Sequence, residues 1–350
     1  MNLTQEQLPL EESPKALYRQ RGVTLVELMI ALALGLLITV AMLKVYVDAS
    51  GLYRFNEGLA RVQENGRFAL EFIRRDARVA GFWGCSSDVE LSYGILTTSD
   101  AHIVGLDPDE EEFGHITGTD GEGDSADSIT FRSATGSGAP VTTDMSGTGD
   151  NVTVDVDSAS NLKIDMAVLI SDCDDGDIFQ VTGISGASLA HAAGTSSNIS
   201  ANLSKTYDSG SRVYQAQQST FCIAPGADTS QPSLRRLTNP TSGQTCASNG
   251  YELIEGVENM QILYGEDTDA GCEGANGDGT ANRYVPISEA SLVIDCIVSV
   301  RVSLLARSLN DNLTTTPSQV TYNGDPYPTT PDRYLRKVFT TTITLRNKAG

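Results

Sequence analysis

RGVTLVELMIALALGLLITVAML, residues 21–43, carries one acid, Glu27, and no charge or proline beyond it. Residues 28–43 together with Val23, Thr24, Leu25 and Val26 supply the ~20 residues that a membrane-spanning helix needs. A carboxylate inside such a helix costs roughly 3 kcal/mol unless it stays wet or finds a partner. Glu27 is therefore either an acid at headgroup level or an acid kept for pairing. Upstream lie Lys15, Arg19 and Arg21. That bias keeps the N-terminus cytoplasmic and exports the rest.

The apolar run does not end as a secretory signal does. Asp48, Ala49, Ser50 and Gly51 follow it, a poor small-x-small cleavage site. Instead a one-sided pattern continues through Phe55, Leu59, Val62, Ala69, Phe72, Ile73, Ala77 and Ala80, with charged residues between. One long helix is predicted from Thr24 to Ala80, about 85 Å at ~1.5 Å per residue, greasy all round at first and one-sided from about Asp48. Gly51, Gly58 and Gly66 weaken its middle, each by roughly 1 kcal/mol relative to Ala.

The formal net charge of the 350-residue chain is −21, and no basic stripe with interleaved aromatics is present. A direct nucleic-acid partner is excluded on that balance. Six cysteines, Cys85, Cys173, Cys222, Cys246, Cys272 and Cys296, form no CxxC pair and no zinc spacing with histidine. Scattered in even number behind a membrane segment, they read as disulfides. Proximity in sequence favours Cys222–Cys246, Cys272–Cys296 and Cys85–Cys173.

After Cys85 short β patterns separated by turn-formers take over, at 128–132, 151–156, 166–170, 178–181, 212–215, 220–223, 257–264, 292–305 and 335–345. The last three are the longest and most hydrophobic, so they should form the sheet behind the helix. Residues 97–160, rich in Gly, Ser, Thr and Asp, are expected to form an inserted β lobe. The fold class is α+β: a long N-terminal helix packed on an antiparallel β-sheet head.

Arg21 and Gly22, followed by Val23, Thr24, Leu25, Val26, Glu27 and Leu28, resemble the class III signal of type IV pilins and pseudopilins. The resemblance implies a prepilin peptidase that cuts between Gly22 and Val23 and methylates the new terminus. It implies that Glu27 pairs with that amine on a neighbouring subunit. One departure is Val23, where the family usually carries Phe. Further stretches resemble PilW-type minor pilins: ENGRFA (64–69), RRDAR (74–78), AGFWGC (80–85), SDC (171–173), IFQVT (178–182), GVENMQILYG (256–265), NRY (282–284) and RKVFTTTITLRN (336–347). The implied organisation is a leader (1–22), a transmembrane and assembly half-helix (23–47), an amphipathic half (48–82) and a periplasmic or extracellular β-rich head (83–350). The implied function is a structural subunit without catalytic activity, which primes type IV pilus assembly in a tip complex. Its implied partners are other minor pilins, the major pilin, a tip adhesin, the prepilin peptidase and the inner-membrane assembly platform. A single pass in the inner membrane would precede a place in the pilus.

His102, His115 and His191 lie far apart with no HExxH or GxSxG nearby, and read as surface residues. The acidic run at 107–112 reads as a solvated loop. In GEDTDAGC (265–272) and NGDG (276–279), Asp267, Asp269 and Asp278 alternate with glycines and are candidate Ca²⁺ ligands, although the pattern is no EF-hand. Asp172, Asp174, Asp175 and Asp177 form a second, weaker cluster. Two alternative functions stay open: a minor pseudopilin of a type II secretion system, and a membrane-anchored calcium-dependent adhesin.

Overall fold

The computed structural model describes residues 22–85, 90–92, 115–123, 125–194, 198–226, 231–240, 243–269, 272 and 277–348. Helix α1 spans Leu25–Ala77. Thr24 caps it, its hydroxyl accepting the Glu27 N–H at 3.2 Å. Glu27 lies in the first turn, and Arg74 and Arg75 in the last, each sign facing the favourable end of the helix dipole. At the far end Arg78, Val79 and Ala80 bond back to Arg74, Asp76 and Ala77, tightening the turn. Gly81 then leaves at φ +74°, a conformation that only glycine adopts without strain.

The chain divides into two compact units, one ending at Tyr53 and one beginning at Arg54. In the first, Leu25, Met29, Leu32, Leu36, Ile38 and Met42 are all exposed. Its apolar stretch is long enough to cross a membrane. In the second, α1 buries Val62, Gly66, Ala69, Ile73 and Ala77, a stripe at three- and four-residue steps. Burying a side chain such as Ile73 contributes about 2 kcal/mol.

The remaining elements are β1 (Glu90–Ser92), β2 (Ile116–Thr119), β3 (Ser128–Thr143), β4 (Val152–Val154), α2 (Val156–Ala159), β5 (Ala167–Ser171), β6 (Asp175–Gln180), β7 (Gly183–Ser185), β8 (Ser188–Ala190) and β9 (Arg212–Pro225). They continue with β10 (Pro232–Thr238), α3 (Cys246–Asn249), β11 (Tyr251–Glu255), β12 (Val257–Glu266), β13 (Arg283–Val285), β14 (Ile297–Arg307), β15 (Ser318–Tyr322), β16 (Asp325–Asp332) and β17 (Arg336–Thr344). The sheet under the helix runs β13-β12-β14-β17, all antiparallel. Thus the three longest hydrophobic patterns do lie together. Val300, Val302 and Leu304 of β14 alternate inward with Ile262, Tyr264 and Ile343 to form one core with Ala69, Ile73 and Ala77.

A larger sheet runs β1-β6-β5-β9-β3-β4-β8-β7, with β10 and β11 added beside β9 and β2 beside β3. Its pairings are antiparallel except β1 with β6. The long strands β3 and β9 run through two cores. One end joins the helix core through Ile129, Phe131 and Phe221. The other carries Ala139, Val141 and Val213 into a separate core with Val152, Val168, Ile170, Phe179, Leu189 and Tyr207.

The inserted lobe expected over 97–160 extends further along the chain. Its core takes Ala139, Val141, Met145, Val152, Val154 and Ala159 from that range and continues through Val168, Ile170, Phe179, Leu189 and Tyr207 to Val213. Residues 97–114 lie outside the described residues. Burial therefore also depends on β5, β6 and the start of β9, beyond the Gly- and Ser-rich part. Two short patterns, 212–215 and 220–223, are one continuous strand.

Buried charge ties the layers together. Asp76 on α1 meets Arg236 of β10 at 2.8 Å. Burial raises its pKa, against the lowering effect of Arg236. Arg336 is buried, with its guanidinium on Glu258 at 2.6 Å and on Asp332. Glu258 also takes Arg307 at 3.2 Å, so β12, β14 and β17 share one charged network.

Candidate functional site

Two groups of residues stand out. The first is the start of α1. Gly22, Val23 and Glu27 are exposed, and Val23 keeps 69% of its surface. A methyl group at Gly22 would meet nothing within 4 Å. Nothing among the described residues, then, requires glycine there. Among the described residues Glu27 has no ion pair, and the apolar side chains of its half of the helix, up to Tyr53, are open on every face. Such a surface must be covered by lipid or by other helices. Thr24 and Glu27 have the spacing of a capping box, a signal present in the sequence that its reading did not use.

The second group is the loop after β12. Oxygens of Asp267, Asp269 and Asp278 all lie within 4.8 Å of one another. Asp267 is buried, and its two oxygens accept the N–H groups of Asp269 and Gly279, each at 3.0 Å. Asp278 accepts from Thr280 at 2.8 Å. Neighbouring Glu266 is taken by Arg283 at 2.6 Å and by the N–H of Val293 at 3.0 Å. Among the described residues no Lys or Arg pairs with the three aspartates. Three converging carboxylates with spare lone pairs fit a hard divalent cation. The Cys272–Cys296 bond tethers the loop beside β14.

The other bonds are Cys85–Cys173 and Cys222–Cys246, the pairs that sequence proximity favoured. Cys85–Cys173 joins the segment after α1 to the β5–β6 turn. In the second acidic cluster, three of the four aspartates already have partners. Lys205 meets Asp172 at 2.6 Å and Asp175 at 2.5 Å. Asp177 accepts from Ser204 and from the Tyr207 hydroxyl at 2.8 Å.

His115 and His191 are both buried, which corrects their reading as surface residues. Nε2 of His115 bonds the carbonyl of Ile297, and burial lowers its pKa to about 3, so the ring stays neutral. His191 packs on Phe179, with ring centroids 5.2 Å apart. Both are small amphipathic rings that fill core space, which single-residue spacing does not reveal. His102 and the 107–112 run lie outside the described residues.

Comparison with known proteins gives two family matches. Residues 220–347 match the family described as type IV pilus-assembly protein W. Residues 17–43 match the prokaryotic N-terminal methylation motif. No curated protein matches the chain. Among solved structures a type IV-like pilin from Thermus thermophilus is similar at 11% identity and a TM-score of 0.35, covering 83% of this chain and 99% of the other.

Proposed function

We propose, on the premise that this chain is a type IV minor pilin of the PilW type, that it belongs to a tip complex which primes pilus assembly. It acts by helix packing and head contacts, without catalysis. The observation that carries this reading is Glu27, without an ion pair among the described residues, in the first half of α1, where the apolar side chains are exposed all round. In a bundle of such helices an unpaired acid and an unpaired amine are both penalised, so their pairing sets the axial register between subunits. The premise places the protein as anchored in the inner membrane by its N-terminal helix. In the finer reading the N-terminus faces the cytoplasm, the head faces the periplasm, and the assembled subunit sits at the pilus end. A subunit of residues 23–350 is bulky for repeated packing in a shaft and is accommodated more easily at an end.

The prepilin peptidase cuts after Gly22 and methylates Val23. Other minor pilins, the major pilin, a tip adhesin and the inner-membrane platform are the partners. The match at 220–347 favours this pilus role over a secretion-system pseudopilin. Glu27→Ala should leave the leader cut in place and reduce surface pili about tenfold or more, as a lost pairing in a low-dielectric bundle requires. The check is electron microscopy of pili beside mass spectrometry of the N-terminus. Normal pilus counts in the variant would remove the role assigned to Glu27.

A second reading rests on Asp267, Asp269 and Asp278. The loop binds Ca²⁺, which neutralises the three carboxylates and stiffens the disulfide-tethered segment. Calorimetry on the full chain in detergent should show one Ca²⁺ site that Asp267→Asn weakens about tenfold or more. Equal binding by the two proteins, or none by either, would eliminate the site.

A further inference from the structure

Strand edges invite pairing, and proteins blunt them with short strands, charges, prolines or bulges. Most edges here are blunted in one of these ways. β1, β7 and β13 have three residues each and β2 has four. β11 has five, two of them glutamates, and its register to β10 shifts. β15 and β16 pair irregularly, and β16 holds three prolines. β17 differs from all of these. It has nine residues, pairs among the described residues with β14 alone, and keeps register through nine residue pairs without a shift. From Val338 to Thr344 it carries no charge and no proline.

The register shows which groups are open. The carbonyl of Leu335 accepts from Ser308, and the N–H of Leu345 donates to Val298, so odd-numbered residues face β14. Val338, Thr340, Thr342 and Thr344 therefore turn their N–H and C=O groups to the unpaired side. The last three are exposed. Their neighbours face the helix: Phe339 lies against Gly66, and Thr341 accepts from Arg74 at 3.1 Å. Exposed Lys337 and Arg346 bracket the open edge of a chain whose net charge is −21.

From this we infer that the edge of β17 is a strand-addition site, and that its partner is an uncharged, β-branched segment of another polypeptide with acids at its flanks. Main-chain bonds would supply affinity, and Thr-rich cross-strand pairs the fit. A second copy fits less well, because its own β17 is again bracketed by Lys337 and Arg346. The inference is independent of Glu27, and either can fail alone.

The probe is a fluorescent, end-blocked peptide, Glu-Val-Thr-Val-Thr-Val-Asp, added to the full chain in detergent micelles. Binding is expected, with slowed amide exchange at Thr340, Thr342 and Thr344. Thr342→Pro removes an outward N–H and leaves the β14–β17 ladder intact, so the head should stay folded while the peptide binds about tenfold more weakly or worse. Should that variant misfold, a peptide N-methylated at alternate residues takes its place and is expected to bind as poorly. Lysine in place of the peptide's acids should also weaken binding. The proposal is overturned by no binding of the acidic peptide, by equal binding of the Pro variant or the methylated peptide, or by protection elsewhere. Self-association that Thr342→Pro abolishes would assign the edge to a second copy and equally overturn it.

Discussion

Gly66→Leu is expected to unseat α1 from its sheet and to lower the stability of the head by about 3 kcal/mol or more. The space for a side chain is already taken. A Cβ at Gly66 would lie 2.3 Å from Cε2 of Phe339, 2.4 Å from Cδ2 and 2.7 Å from Cζ. Atoms cannot approach so closely, so the ring or the helix must move. Even Ala, which gains roughly 1 kcal/mol over Gly in a helix interior, should lose more than that gain here.

The contact makes the prediction specific. In a Phe339→Ala background the clash is gone, and Gly66→Ala should become neutral or stabilising. Urea unfolding followed by near-ultraviolet circular dichroism checks both statements. A wild-type midpoint for Gly66→Leu, or no coupling between positions 66 and 339, would show that the helix does not sit this close. Gly58 is the same kind of position, with Leu313 Cδ1 where its Cβ would be, at 2.4 Å.

Gly22→Val is the opposite case, and its expected effect is complete. Among the described residues, nothing beyond its chain neighbours lies within 4 Å of where its Cβ would stand, so the substitution should not disturb the head. In the proposed role, the need for glycine comes from a peptidase that must close on bare backbone. The variant should keep residues 1–22, and mass spectrometry should find no product beginning at Val23. Wild-type protein should begin at Val23 with a methylated amine. A variant that is trimmed normally would end the processing argument, and with it the route by which a free amine meets Glu27.

The two glycines show what could be read in advance. Gly66 sits inside the predicted helix and counted there as weakening it, whereas Gly22 lies just before the helix, in the processing motif. For Gly22 the neighbours in sequence, Arg21 through Leu28, carried the meaning. For Gly66 they did not, because the atom that excludes a side chain belongs to Phe339, far along the chain. Asp267, Asp269 and Asp278 were legible together because loop spacing and two-residue steps bring nearby acids to one place. His115 was not legible, because its burial depends on residues as distant as Gly81 and Ile297.

Local periodicity alone was enough for the membrane-length helix, its one-sided second half, the inward alternation of β14 and the acid left over in the apolar run. These follow from side-chain hydrophobicity at fixed helical and strand steps, and that information sits within a few residues. Only the folded head could reveal that β3 and β9 bridge two cores, that the lobe extends past the range its composition implied, and that among the described residues β17 has no strand paired on its far side. Those facts depend on which strand finds which, a choice made by contacts between residues far apart in sequence, and no short window contains both partners.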